Sequence, residues 1–328
     1  MTSRVAIGIA TVGRAEILAQ TLAELACQTR PADRIVVCCT TVEDVGDAPA
    51  SRPHVEVVYS AAGLPRQRNR LLEATTDCNI LLFFDDDFVP DPDYVAAIED
   101  LFDRHPDAVV ATGHVIADGI CGRGLTVAEG RKLILADRSQ PTPTAIGPIF
   151  NGYGCNFAVR ADIARRHKVR FDERLPLYAW QEDVDFSRRM AAHGWVLRTS
   201  AARGVHLGVK QARTPGLRLG YAQVANPIYV ARKRAGYPML HALKHIARNL
   251  GANLVHSARP EPWVDRRGRL RGNMIAFGDL MLGRLAPERM LLAGNPMPKP
   301  SAGAALGAAA PVLYNPPAGT AEHSSERF

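Results

Sequence analysis

The 328-residue sequence has no run of about 18 apolar residues, so no segment reads as a membrane-spanning helix. Nor does it open on a signal peptide: Met1-Thr2-Ser3-Arg4 leads straight into an apolar, strand-like segment with no small-residue cleavage site after it. A cytoplasmic protein is the expectation. None of the six cysteines, at 27, 38, 39, 78, 121 and 155, forms a Cys-x-x-Cys pair, so they read as reduced thiols, with Cys38 and Cys39 in the core. Zinc-finger spacing and the aromatic motif of RNA-binding sheets are both missing, and there is no internal repeat. A nucleic-acid-binding reading would rest on charge alone. At 47% hydrophobic and 22% charged, the chain has the composition of an ordinary globular protein.

The net charge of +7 is unevenly spread. Arg203 to Arg271 holds fourteen Lys and Arg against two acids, Glu261 and Asp265, a surplus of twelve that leaves the remainder at −5. Such a basic surface can meet the phosphates of a nucleotide, a nucleic acid or an anionic lipid. The bland alternative is a solvated face.

The first half alternates strand and helix signals. Apolar runs stand at 5–10, 34–39, 55–59, 80–84 and 108–111. Between them, 17–26, 65–74 and 91–104 carry helical apolar spacing, the last with Tyr94, Val95, Ile98, Leu101 and Phe102 on one face. Short buried strands between helices predict an α/β fold whose central sheet is mostly parallel and covered on both faces, Rossmann-like. The stretch 113–154 is less regular. Beyond it, 156–160 and 195–198 read as strands, 182–193 as a helix stopped at Gly194, and 214–250 as helical and basic. The end, 298–328, holds 16 Pro, Gly or Ala in 31 residues and reads as a tail without fixed structure.

Asp85-Asp86-Asp87 follows the most apolar strand directly. In open α/β sheets, ligands bind beyond the carboxyl ends of strands. Three adjacent acids repel one another unless a cation is near, and carboxylate oxygens suit magnesium or manganese, which also take phosphate oxygens. A solvated turn capping the helix near Pro92 is the alternative.

Here the sequence resembles a family 2 glycosyltransferase of the GT-A fold. Phe83-Phe84-Asp85-Asp86-Asp87-Phe88-Val89-Pro90 is similar to that family's strand, Asp-x-Asp motif and following proline. Thr11 and Arg14 after the first strand, the segment Gly63-Leu64-Pro65-Arg66-Gln67-Arg68-Asn69-Arg70, and Glu182-Asp183 after Trp180 follow in the family's order, over roughly residues 4–210. Two departures stand out. Val12-Gly13 replaces the Asn often found before the first-loop Arg, and Cys38-Cys39-Thr40-Thr41 replaces an acid after the second strand, with Glu43, Asp44 and Asp47 beyond.

The resemblance implies a metal-dependent, inverting enzyme that moves a sugar from a nucleotide-diphosphate donor, a uridine diphosphate sugar being the usual one, to a glycan or lipid-linked acceptor in envelope or exopolysaccharide synthesis. It implies that Asp85, Asp86, Thr11, Arg14, Arg66, Arg68 and Asn69 face the donor, and that Asp87, Asp85 and His206 hold a manganese or magnesium ion. Asp183 becomes the base and Glu182 its neighbour, with Asn156 and Trp180 on the acceptor. The bland reading of Glu182, Asp183 and Asp185 is acids stabilised at a helix start.

The expected organisation is a GT-A catalytic domain over 1–210 (nucleotide-sugar half 1–112, acceptor half 113–210), a basic helical extension over 211–297, and the tail. Arg232-Lys233-Arg234 and Lys244 to Arg248 lie among apolar residues, as in helices that rest on an anionic membrane. Peripheral attachment to the inner face of the plasma membrane is therefore expected, with no nucleic-acid partner. The competing enzyme class, sugar-nucleotide pyrophosphorylases, calls for a glycine-rich phosphate loop after the first strand, where Thr11-Val12-Gly13-Arg14 is sparse in glycine.

Overall fold

The apolar run Val5–Ala10 is the central strand β1 of the computed structural model, which describes residues 3–47, 52, 54–140, 144–212 and 214–292. Two compact units divide the chain, Met1–Gly294 and Asn295–Phe328. The second, and with it the expected tail 298–328, lies outside the described residues.

Beside β1 lie β2 (Arg34–Cys39) and β4 (Ile80–Asp85), both parallel to it, and β3 (Val55–Tyr59) pairs in parallel with β2. Side chains on a strand alternate between faces, and both faces here are apolar. Ile7, Ile9, Leu82 and Phe84 pack with α1 (Ala15–Leu25) and α3 (Tyr94–Arg104) through Leu18, Leu22, Ile98 and Phe102. Ala6, Leu81 and Phe83 pack on the other face with Leu71 and Leu72 of α2 (Leu64–Ala74), Ala164 of α5 (Ala161–Arg166) and Phe186 of α6 (Glu182–Met190).

The second half of the sheet adds β5 (Phe88–Pro90), β6 (Ala108–Asp118), β7 (Ile146–Pro148), β8 (Asn156–Arg160) and β9 (Trp195–His206), giving the order β3-β2-β1-β4-β8-β6-β9-β5, with β7 also on β9. Parallel pairing recurs between β6 and β9. The pairs β4–β8, β6–β8, β5–β9 and β7–β9 are antiparallel, so this half is mixed. β6 and β9 both run well past the short strands expected at 108–111 and 195–198, because each supplies the other's ladder as far as Asp118↔His206. The irregular stretch also contains α4 (Val127–Arg138), which opens on a capping box between Thr126 and Glu129.

The basic segment forms α7 (Gly216–Arg232), α8 (Met239–Ala258) and α9 (Arg266–Met281). The single helical stretch expected over 214–250 is broken after Arg232: Gly236 has φ +79° and Pro238 caps the next helix. Tyr221, Ala225, Ile246 and Ala276 join the three helices in a small core of their own. Among the described residues, no helix is long and apolar enough to cross a membrane.

Candidate active site

Strand register alone brings the predicted acidic cluster to a histidine. β5 pairs with the end of β9 so that Phe88 opposes His206, which sets the preceding Asp87 beside the imidazole. On the other edge of β9, Asp118 opposes the same histidine. Asp85 ends β4. One ligand atom from each of Asp85, Asp87 and His206 lies within 4.8 Å of the other two.

The histidine is oriented from behind. Its Nδ1 lies 2.9 Å from Asp118 Oδ1, which places the ring proton there and turns Nε2 toward Asp87 Oδ1, 3.4 Å away, and Asp85 Oδ2, 3.9 Å away. Such carboxylate–histidine pairs fix the tautomer of metal-binding imidazoles. Asp118 was not foreseen, since nothing in its local sequence marks it. Asp87 is almost wholly buried; its Oδ2 accepts from the Val209 N–H at 2.8 Å, while Oδ1 has no hydrogen bond of good geometry. The loop carrying Val209 turns at Gly208, φ +64°, where a Cβ would meet the Gly119 backbone at 2.4 Å.

Charge makes the same point. Burial works against an imidazolium at His206, but the bond to Asp118 and the close charges of Asp87 and Asp85 outweigh it and raise its pKa to about 10. Burial raises Asp85. At Asp87 the opposing burial is overcome by His206, Arg14 and the Val209 N–H, and the pKa falls to about 2. The pocket demands positive charge. Two carboxylates and an imidazole, with an orphaned buried oxygen between them, are a donor set that fits a divalent cation such as manganese or magnesium.

Asp86 has a different setting from its neighbours. Its carboxylate accepts from Thr11 Oγ1 at 2.7 Å and Arg14 Nη1 at 2.8 Å, and its backbone oxygen accepts from Thr21. Burial pushes it to about 6 against the pull of Arg14. Thr11 and Arg14, expected on the donor, thus also lock the acidic turn to the first loop, and Arg14 donates onward to the backbone oxygens of Val209 and Gln211. Asp44 is likewise committed: its oxygens accept from the N–H groups of Gly13, Thr40 and Thr41.

The α2 segment departs most from expectation. Arg68, expected on donor phosphates, is 2% exposed, with its guanidinium 5.2–5.6 Å from the ring centres of Phe83, Phe157 and Phe171. It donates to Glu182 at 2.7 Å and to the Gly154 backbone at 2.7 Å, and approaches Asp85 at 3.4 Å. The side-chain amide of Asn69 turns away to the Phe171 backbone and Glu173. The apolar packing of the helix's inner face pulls both residues inward. Arg66 stays half-exposed, 3.6 Å from Glu173.

On the acceptor side, α6 begins at Glu182 after a strained approach: Leu177, Ala179 and Gln181 all have positive φ. Glu182 is buried against Arg68. Asp183 is half-buried, with Oδ2 accepting from the Gly154 N–H at 2.9 Å and Oδ1 from its own neighbour Val184 at 2.8 Å. Burial raises both, and the neighbouring Asp183 charge adds to the rise at Glu182, to about 8. Asn156 is fully buried with its side-chain oxygen accepting from Thr112, which makes it a support for the loop below.

A cleft of about 500 Å³ opens over these groups. Arg14, Asp85, Asp87 and His206 line it from the sheet, Tyr178 and Trp180 from the strained segment, and α8 and α9 close its far wall.

A family model described as glycosyl transferase family group 2 matches residues 80–257. No curated protein matches the sequence. Among solved structures, Staphylococcus aureus TarS 1–349 in complex with UDP-GlcNAc is 14% identical with a TM-score of 0.52, the match covering 88% of this chain and 82% of that one. The mannosyltransferase PcManGT from Pyrobaculum calidifontis, in complex with GDP-Man and Mn2+, is 15% identical at a TM-score of 0.50, covering 89% and 83%. GalNAc-T7 with UDP, GalNAc and Mn2+ is 14% identical at 0.51, covering 79% and 58%. At these identities the likeness is one of fold, and the fold is GT-A.

Proposed function

The chain belongs to glycosyl transferase family group 2, and on that premise we propose that it is an inverting transferase carrying a sugar from a nucleotide-diphosphate donor, a uridine diphosphate sugar first among the candidates, to a hydroxyl of a glycan or lipid-linked acceptor. Cell-envelope or exopolysaccharide synthesis, at the cytoplasmic side of the membrane, is the setting that suits such an acceptor.

One observation carries this reading: the metal-competent triad and the acceptor-side acids are joined through a single buried guanidinium, Arg68, which reaches both Asp85 and Glu182. Asp85, Asp87 and His206 would hold a divalent cation, which when bound offsets the charge gathering on a departing nucleoside diphosphate. Asp183 takes the proton of the acceptor hydroxyl. Of the two adjacent acids, Glu182 is engaged by Arg68, whereas Asp183 keeps a partly open face and is held still by two N–H groups. Its raised pKa makes it a better proton acceptor once ionised. One base on the acceptor side is what a single displacement needs. Trp180 offers a ring in the cleft wall on which a sugar can stack.

Peripheral membrane attachment is part of the proposal. The outer face of α8 leaves Leu240, Leu243, Leu254 and Val255 exposed beside Lys244, and Trp263 is exposed in the link to α9.

The test is calorimetry with a panel of nucleotide-diphosphate sugars, with and without manganese, on the natural protein and on Asp87→Ala. Metal-dependent binding of one donor, lost in the variant, supports the reading and names the nucleotide. A folded protein that binds no donor under any metal condition overturns it.

A further inference from the structure

α8 presents three faces. Ala242, Ile246 and Asn253 turn into the helical core, while Leu240, Leu243 and Leu254 face solvent. The third face, His245, Arg248, Asn249 and Ala252, lines the cleft, and α9 adds Arg266 and Arg269 to the same wall. The basic segment is thus not merely an appendage beside the catalytic unit; part of its charge looks into the site.

This wall is built on fixed parts. Gln223 of α7 donates to Asn249 at 3.2 Å and accepts from Asn253 at 2.9 Å, and Asn253 donates to Asn273 of α9 at 2.9 Å. Asn253 and Asn273 are fully buried, so the amide ladder locks the three helices in register. Arg266 is held at this base by Glu261 at 2.6 Å and approaches Asn253 at 3.4 Å. Arg248, Arg266 and Arg269 thus stand together on this wall, with Glu261 paired to Arg266.

Its place relative to the two half-sites decides what it serves. His245 Nδ1 lies 2.6 Å from Gln181 Nε2, and Gln181 immediately precedes Glu182-Asp183. The His245 ring is also 6.3 Å from that of Trp180. Arg248 comes three residues after His245, on the same helix face about one turn further on. α8 is therefore fastened to the acceptor-side segment, while Arg14, Asp85 and Asp87, at and beyond the ends of β1 and β4, line the same cleft.

We propose that Arg248, with Arg266 and Arg269, forms a subsite for a phosphate group carried by the acceptor, so that the enzyme selects a phosphate- or diphosphate-linked acceptor over a neutral glycan. This rests on the transferase reading above. The planar fork of arginine suits phosphate oxygens, and a wall of three gives such a group more than one partner. The exposed leucines on the next face of α8 set the same helix where the apolar part of a lipid-linked acceptor would lie.

The experiment uses the full chain with Mn2+ and two probes: decyl phosphate, below its micelle-forming concentration, and decyl glucoside as the neutral match. UDP and GDP are titrated first, and the probes are then added with the bound nucleotide at saturation. Decyl phosphate is expected to bind about tenfold or more tightly than decyl glucoside, Arg248→Ala to weaken it about tenfold, and Arg248→Glu to abolish it, with nucleotide affinity changed by less than about twofold. Arg248 is exposed, so both variants are expected to fold. Equal binding of the two probes, or Arg248→Glu leaving decyl phosphate binding intact, overturns the proposal. A fall in nucleotide affinity that tracks the loss of decyl phosphate reassigns the wall to the donor. Normal nucleotide binding without decyl phosphate binding defeats this subsite alone. Failure of every nucleotide defeats the transferase reading, and with it the assignment to an acceptor.

Discussion

Arg68 donates to Glu182 at 2.7 Å across 114 residues of sequence, with both side chains almost wholly out of water. Above pH about 8, where Glu182 is ionised in the folded protein, removing Arg68 strands a buried carboxylate, at a cost of about 3–5 kcal/mol. Arg68→Met is therefore expected to lower unfolding stability by about that amount in urea. The double variant Arg68→Met, Glu182→Gln should recover part of the loss, since no stranded carboxylate remains at Glu182. A single variant as stable as the natural protein would mean that the pair is not formed.

Asp118 is predicted to act on metal through His206 without touching the ion. Asp118→Asn keeps the shape but weakens the hold on the Nδ1 proton, and loss of such a partner costs about 10–100-fold in metal affinity. Manganese titration followed by electron paramagnetic resonance reads this directly. His206→Ala should weaken binding at least as much as Asp118→Asn. Unchanged affinity in both variants would place the ion elsewhere.

Some of this site is legible in the sequence and the rest is not, for a physical reason. Asp85 and Asp87 were legible because they follow the most apolar run, and strand ends are where α/β sheets keep their ligands, whereas His206 came only from the family resemblance. Asp118 ends a strand whose second half is held by β9 and not by its own apolar pattern, so β6 was expected to stop at 111. Arg68 and Asn69 look like a solvated helix start in the sequence; only the packing of Phe83, Phe157 and Phe171 around the guanidinium turns them inward. The capping box at Thr126 and Glu129 was a readable signal for α4 and went unused. That α8 lines the cleft depends on its docking to Gln181, a contact between residues 64 apart that no local pattern encodes.

The adjacent acids Glu182 and Asp183 predict a pH dependence with a definite sign. Glu182 has a pKa of about 8 in the folded protein against an ordinary value of 4.5, so between these values the folded state binds more protons than the unfolded chain. Stability must then fall as pH rises through that window. In Glu182→Gln the fall should be shallower, because the main contributor is gone. The same substitution should leave the acidic limb of the pH–rate profile in place, because Glu182 is already neutral there and burial is what raises Asp183. Urea midpoints at pH 5 and pH 8, and transfer rates across the same range, check both halves. A stability curve with the same slope in both proteins would show that Glu182 is not the source of the fall.

Asp183→Asn separates chemistry from binding. The amide keeps the oxygen that can accept from the Gly154 N–H but cannot take a proton from an acceptor hydroxyl. Loss of a general base costs about 10²–10⁴-fold in turnover. Donor affinity, set across the cleft, should stay within about twofold, since no donor-side group is touched. Calorimetry and single-turnover transfer on one preparation decide the matter; a variant that still turns over at full rate moves the base to another group.

Membrane attachment should need both charge and the leucines of α8. Its outward face carries Leu240, Leu243 and Leu254 with Lys244 among them, and α9 with the residue after it exposes Met274, Ile275, Met281 and Leu282. Apolar side chains alone would bind neutral and anionic bilayers alike, and lysine alone would be released by modest salt, because screening sets in over about 10 Å at 0.1 M. The combination predicts flotation with anionic vesicles at low salt, weaker flotation with neutral ones, and partial release on raising the salt. Leu240→Ser with Leu243→Ser removes apolar area without changing charge, and should reduce binding about tenfold or more at low salt. If the natural protein stays at the bottom of the gradient with anionic vesicles at low salt, the helices are packing elements only. If the leucine variant floats like the natural protein, charge alone holds the enzyme at the surface, and the apolar stripe of α8 needs another explanation.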